Sequence, residues 1–182
     1  MINLAEIDKS WTLFLDRDGV INKRILDGYV TKKEDFVFLA NVKGAINGIC
    51  RLFARVIVVT NQQGVAKGLY SKEDLHEIHE YMRDQIGAYG GFVDEVYSAC
   101  ELASDENNTR KAKPFMALQA QKDFPEIDFA KSIMIGDTNS DIRFGKNLGM
   151  KTILILSDEV VTELPDMEID SLWEFARLMT ER

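Results

Sequence analysis

Cysteine and proline are scarce in this chain. Cys50 and Cys100 are its two cysteines in 182 residues, too few for a disulfide framework and suited to thiols kept reduced, so a cytoplasmic protein is expected. There are only three prolines, which leaves long stretches free to form regular helices and strands. Long apolar runs are missing as well. Runs such as Val56–Val59 fall far short of the roughly 20 residues that a membrane span needs. Met1–Ser10 holds Glu6, Asp8 and Lys9 and has no apolar stretch of the signal-peptide kind. Basic residues are in deficit: 22 Lys and Arg stand against 30 Asp and Glu, a net charge of −8. That balance excludes a broad nucleic-acid footprint, which needs a basic face. It does not exclude an anionic substrate, because a phosphate can be held by a few local cations and a metal.

What is present is an alternation of short apolar segments with helical patterns. The apolar runs 11–15, 55–60, 92–99, 132–135 and 152–156 read as strands. Between them, 41–54, 71–90, 114–124 and 140–148 carry apolar residues at helical spacing, and a last helix starts at Asp170 or Ser171. Ser71 with Asp74 three residues on resembles a capping box. Strands separated by helices imply right-handed crossovers and a parallel sheet. We expect an α/β fold over residues 1–182 as a single domain, a doubly wound parallel sheet of order 3-2-1-4-5 with no large cap domain. The switch point of that order lies between strands one and four, where ligands bind such sheets. The residues that follow those two strands are Asp16 and Asp137.

Four polar clusters fall at these strand ends. Asp16-Arg17-Asp18-Gly19 leaves strand one, and Asp137-Thr138-Asn139-Ser140-Asp141 leaves strand four. Either alone reads equally as a polar turn or a helix cap. Together they bring several carboxylates to one spot, where mutual repulsion favours a hard cation such as Mg²⁺. Thr60-Asn61-Gln62-Gln63-Gly64 ends strand two. Arg110-Lys111-Ala112-Lys113 precedes a helix N-terminus, where an anion is favoured, though such a run in isolation is a solvated patch. His76 and His79 lie at i and i+3 on one helix and read as solvated or half-buried rather than as metal ligands. Trp11, Phe36, Phe38 and Trp173 read as core or near-core aromatics.

Taken in order, these clusters resemble the haloacid dehalogenase-like phosphohydrolase superfamily. The words Phe14–Asn22, Gly28-Tyr29-Val30 and Thr60–Gly68 are similar to its subgroup of heptose-bisphosphate and histidinol phosphatases. The resemblance implies a Mg²⁺-dependent phosphomonoesterase of small phosphorylated metabolites, a sugar phosphate first, with histidinol phosphate as the alternative. A non-catalytic phosphate-binding domain is the reading from another class. It implies Asp16 as nucleophile, Asp18 as acid and then base, and Thr60 and Asn61 as phosphoryl ligands. Lys111, or else Lys113, would neutralise the phosphate, and Arg110 would contact substrate. Mg²⁺ would be held by Asp16, the Asp18 backbone carbonyl and Asp137, with Asp141 supporting that shell. The implied partner is a small molecule, not nucleic acid or membrane, and the oligomeric state stays open.

The subgroup's zinc clamp is eroded here. Of its expected ligand positions before the lysine motif, Cys100 remains, with Asn107-Asn108-Thr109 further on. One thiolate is below the four ligands of structural zinc, so none is expected. A flexible turn at Asn107-Asn108 is expected instead.

Overall fold

The computed structural model describes residues 2–181, and its centre is one six-stranded parallel sheet of order β3-β2-β1-β4-β5-β6. The strands are β1 (Thr12–Leu15), β2 (Arg55–Asn61), β3 (Glu95–Ala99), β4 (Ser132–Gly136), β5 (Lys151–Ile155) and β6 (Met167–Ile169). Five helices cover it: α1 (Val42–Ile49), α2 (Lys72–Ala88), α3 (Phe115–Asp123), α4 (Asn139–Asn147) and α5 (Leu172–Thr180). The expected order 3-2-1-4-5 is present, and β6 extends it at the edge. That strand was missed because three residues, Met-Glu-Ile, carry too little pattern to read.

Both faces of the sheet are buried, which is why its strands are continuous apolar runs. Alternate residues serve alternate faces. Leu13, Leu15, Val56, Val58, Ile133 and Ile135 pack with Ile46, Ile78, Met82 and Phe175 from α1, α2 and α5. Phe14, Ile57, Val59 and Met134 pack with Met116, Ala120 and Phe144 from α3 and α4. Trp11 and Phe36 are buried, Phe38 is half-buried, and Trp173, expected at a core or near-core position, is exposed, with its ring edge beside Gly44 of α1.

Local chemistry sets the helix ends. Ser71 caps α2 with a reciprocal pair: its Oγ accepts from Asp74 N at 3.0 Å, while Asp74 Oδ2 accepts from Ser71 N at 2.8 Å. Ser171 likewise caps α5, accepting from Glu174 N. Segment 41–54 forms a shorter helix than its spacing predicts, and Cys50–Leu52 tightens into a 3₁₀ turn before β2. No helix among the described residues is long and apolar enough to cross a membrane.

Candidate active site

Adjacent parallel strands in register bring the first site together. Leu15 of β1 lies beside Ile135 of β4, and Asp16 N donates to Ile135 O at 2.9 Å. Asp16 and Asp137 therefore leave the sheet side by side. Carboxylate oxygens of Asp16, Asp137 and Asp141 all lie within 4.8 Å of one another, and all three residues are buried. The approach of Asp137 depends on Gly19. Its φ is +96°, and any Cβ there would collide with the Asp137 carboxylate.

Two cations hold this acidic cluster. Lys111 Nζ is 2.7 Å from Asp16 Oδ1 and 2.7 Å from Asp141 Oδ1, and it donates to Val59 O at 2.8 Å. Arg24 Nη2 donates to Asp137 Oδ1 at 2.6 Å and to the Asp18 carbonyl at 3.1 Å. The sequence left Lys111 and Lys113 as rivals for the inner position. Lys113 instead donates to the carbonyls of Glu106 and Asn108. These positive charges do not satisfy the cluster. Burial raises the Asp16 carboxyl to about 6, with Lys111 pulling the other way and Asp141 and Asp18 adding to the rise. Burial and then Asp16 raise Asp137 to about 7, against Arg24. Two buried carboxylates and a backbone carbonyl, short of compensating charge, are a donor set that suits a hard divalent cation.

Asp18 sits in a different environment. Its carboxylate accepts from Arg17 Nη2 at 3.0 and 2.9 Å, from Asn22 Nδ2 at 2.9 Å and from Gln62 Nε2 at 2.8 Å. Burial alone would push this carboxyl up. Arg17 and these hydrogen bonds outweigh it and hold Asp18 below the usual carboxylate range. The groups behind Asp18 are themselves braced. Arg17 Nη1 lies 3.1 Å from His79 Nε2. Burial, then the Arg17 charge, pushes the imidazole down to about 3, so His79 is neutral and its Nε2 accepts from Arg17. Tyr70 Oη donates to Gln62 Oε1 at 2.6 Å, and Gln62 Nε2 also donates to Thr60 Oγ1 at 2.7 Å. Sequence reading missed Arg17, Gln62, Tyr70 and His79. His79, expected to be solvated or half-buried, is buried, and His76 is exposed.

Thr60 and Asn61 end β2 beside these groups. The Asn61 side chain is engaged with the lysine loop: Oδ1 accepts from Lys111 N at 2.9 Å, and Nδ2 donates to Lys111 O at 3.3 Å. It thus anchors the Lys111 peptide. The Asp141 carboxylate is divided as well, with Oδ1 at Lys111 and Oδ2 accepting from Thr138 Oγ1 at 2.6 Å and Thr138 N at 3.1 Å.

Above this floor opens a polar cleft of about 520 Å³. Arg24–Val30, Gln63, Lys67 and Arg110 form its upper wall. Arg110 Nη1 is buried there without a hydrogen-bond partner among the described residues. Segment 99–113, which holds the turn at Asn107-Asn108 expected to be flexible, is tied by polar contacts. Glu101 accepts from Thr109 Oγ1, Asn108 Nδ2 donates to Asp105 O, and Asn108 Oδ1 accepts from Arg110 N.

Comparison with known proteins gives one consistent picture. Residues 108–173 match a family model described as HAD-hydrolase-like. The chain is 38% identical over 158 residues to the D-glycero-α-D-manno-heptose-1,7-bisphosphate 7-phosphatase of Burkholderia mallei, covering 82% of each protein. It is 39% identical over 147 residues to the D-glycero-β-D-manno-heptose-1,7-bisphosphate 7-phosphatase of Helicobacter pylori, covering 80% of this chain and 82% of that one. The crystal structure of the D,D-heptose 1,7-bisphosphate phosphatase of B. bronchiseptica, complexed with magnesium and phosphate, superposes with a TM-score of 0.84 at 25% identity. That match covers 94% of this chain and 99% of the other.

Proposed function

The chain belongs to the haloacid dehalogenase-like hydrolases, in the family of the heptose-1,7-bisphosphate 7-phosphatases, and is a phosphoric monoester hydrolase; from this we propose that it removes the 7-phosphate of a D-glycero-D-manno-heptose 1,7-bisphosphate, with Asp16 as nucleophile and Mg²⁺ as cofactor. The observation that carries the reading is the convergence of Asp16, Asp137, Asp141 and Lys111 at the carboxyl ends of β1 and β4, on the floor of an open cleft. One relative is named for the α anomer and the other for the β anomer, and assay of both anomers decides between them. Mg²⁺ would be held by Asp16, the Asp18 carbonyl and Asp137, and when bound it supplies positive charge that lets a phosphoryl dianion approach carboxylates.

This chain's own groups divide the remaining work. Asp16 Oδ1 is fixed by Arg17 N at 2.7 Å and by Lys111 Nζ at 2.7 Å, which orients the carboxylate for attack on phosphorus. Lys111 offsets the charge of nucleophile and phosphoryl oxygens, and Asn61 holds its peptide in place. Thr60 Oγ1 lies on the same rim and offers its hydroxyl proton to a phosphoryl oxygen. As the P–O bond to the sugar breaks, the leaving oxygen takes a proton from Asp18. The aspartyl-phosphate on Asp16 is then cleaved by a water whose proton returns to Asp18. In the free chain Asp18 is held ionised, the form the second half needs. An arriving phosphoryl dianion raises the Asp18 pKa by like-charge repulsion and so loads the proton for the first half. Asp141, with both oxygens engaged by Thr138 and Lys111, positions the lysine rather than the metal.

Phosphate release from a panel of heptose bisphosphate anomers, histidinol phosphate and a 3′-phosphorylated oligonucleotide, each with Mg²⁺, tests the proposal. The highest kcat/KM should fall on a heptose bisphosphate. A preference for the oligonucleotide, against the −8 net charge, would overturn it.

A further inference from the structure

Arg24 occupies a position that the proposed metal site would otherwise claim. A single nitrogen, Nη2, contacts both Asp137 Oδ1 and the carbonyl of Asp18. These are two of the three oxygens assigned above to Mg²⁺, and a guanidinium nitrogen and a metal ion cannot share them. The two partners are unequal. The Asp137 side chain is 2% exposed, whereas that of Arg24 is 31% exposed and reaches in from the cleft wall. Arg24 Nε is buried and has no hydrogen-bond partner among the described residues, so its docking here leaves a donor unused. An orphaned donor costs free energy, which makes this seat less than optimal for the guanidinium.

The segment that carries Arg24 is irregular and is anchored at its far end, by buried Val30 and by Tyr29, whose Oη accepts from Lys67 Nζ at 2.9 Å. Residues 24–30 contain no helix or strand, Ile25 and Leu26 are exposed, and Asp27 sits at φ +54°. This segment also lines the cleft, as do Arg110 and Lys67. A guanidinium released from Asp137 would therefore remain within the cleft, facing whatever the nucleophile faces.

We propose that Arg24 is a resident counter-ion, seated on the metal's ligands in the metal-free chain, which the divalent cation displaces into the cleft to bind the anionic substrate. The proposal rests on the metal ligands assigned in the preceding section. In the metal-free chain Arg24 offsets the buried charge of Asp137, whose exposure is too low for water to do so. Displacement exchanges one cation for another on Asp137 and leaves all five guanidinium N–H donors available to substrate oxygens. Metal binding and the build-up of the substrate site are thereby coupled through one side chain.

Calorimetric titration with Mg²⁺ alone tests this on the full chain, without reliance on turnover. Arg24→Gln removes the competitor, so Mg²⁺ should bind roughly tenfold more tightly than to wild type, a shift of about 1.4 kcal/mol. The metal-free variant should melt below wild type, and saturating Mg²⁺ should close that gap. KM for the phosphorylated substrate should rise severalfold while kcat stays within about twofold. Arg24→Lys keeps the charge with a single point contact, and it should fall between the two in Mg²⁺ affinity even where Arg24→Gln folds poorly. A folded variant that binds Mg²⁺ no better than wild type would overturn the proposal and leave the metal site standing. Tighter Mg²⁺ with an unchanged KM would overturn the substrate role. If wild type itself binds no Mg²⁺, the assigned metal site fails, and the proposal with it.

Discussion

At the residue scale, the two acids of the Asp-x-Asp motif are set apart by their surroundings. Asp16 is buried among like charges and its carboxyl stands at about 6, whereas four hydrogen bonds from Arg17, Asn22 and Gln62 hold Asp18 down. The raised groups, Asp16 and Asp137, lie above their unfolded values. Their protonated forms therefore stabilise the metal-free chain at low pH, and that contribution is lost as pH rises through about 6 and about 7. A divalent cation favours the ionised forms, so its effect runs the other way. The melting-temperature gain from a fixed Mg²⁺ concentration should be small at about pH 5 and large at about pH 8, by differential scanning fluorimetry. A gain independent of pH would mean that these carboxylates do not hold the metal. The bracing of Asp18 has its own consequence. Gln62→Ala removes one donor to Asp18 and the link to Tyr70, so kcat should fall about tenfold or more, with the fold intact by circular dichroism. An unchanged kcat would show that Gln62 has no part in positioning the acid.

At the element scale, strand ends and helix caps deliver the functional groups. The capping box of α2 was legible as Ser71 with Asp74, and its geometry is complete. Ser71→Ala should cost about 1 kcal/mol of stability by urea unfolding. Because α2 presents His79 but no group to the cleft, kcat should stay within about twofold. The carboxylates of Asp16, Asp18, Asp137 and Asp141 could be found from sequence because each follows an apolar strand whose neighbours the crossover rule dictates. Gln62, Tyr70 and His79 could not. Gln62 reaches Asp18 from 44 residues away, Tyr70 reaches Gln62 from eight away and His79 meets Arg17 from 62 away, and nothing in local spacing marks a buried histidine as the acceptor of an arginine. Arg24 was hidden for the same reason, since Asp137 lies 113 residues beyond it. β6 was hidden by brevity, and Trp173, read as core or near-core, lies at the edge of the α1–α5 contact beside Gly44 and stays exposed.

At the scale of the whole molecule, one sheet with helices on both faces gathers the assigned groups at its carboxyl end: Asp16, Asp18 and Arg24 after β1, Thr60 and Asn61 ending β2, Arg110 and Lys111 between β3 and α3, Asp137 after β4 and Asp141 in the first turn of α4. Segment 99–113 is held by its own polar contacts, among them Glu101 with Thr109 and Lys113 with the Glu106 and Asn108 carbonyls, and no structural zinc is expected in it. Elemental analysis of the purified chain should find less than about 0.1 zinc per molecule, and chelator should leave the circular dichroism spectrum unchanged. Stoichiometric zinc with unfolding on chelation would show that other ligands had taken over the clamp.

The covalent role of Asp16 is open to direct measurement by mass spectrometry. Trypsin releases Ser10–Arg17 as one peptide, in which Asp16 is the only carboxylate side chain. Asp18→Asn should slow both half-reactions. With an aryl phosphate, whose leaving group needs no proton, mainly breakdown of the intermediate is slowed, so acid quenching during turnover of that variant should trap phosphate on this peptide. The adduct should be an acyl phosphate, released by hydroxylamine, and it should be absent when Asp16→Asn is introduced. A phosphopeptide elsewhere in the chain, a hydroxylamine-stable adduct on Ser10 or Thr12, or full turnover by the folded Asp16→Asn variant would contradict the assignment of Asp16 as nucleophile.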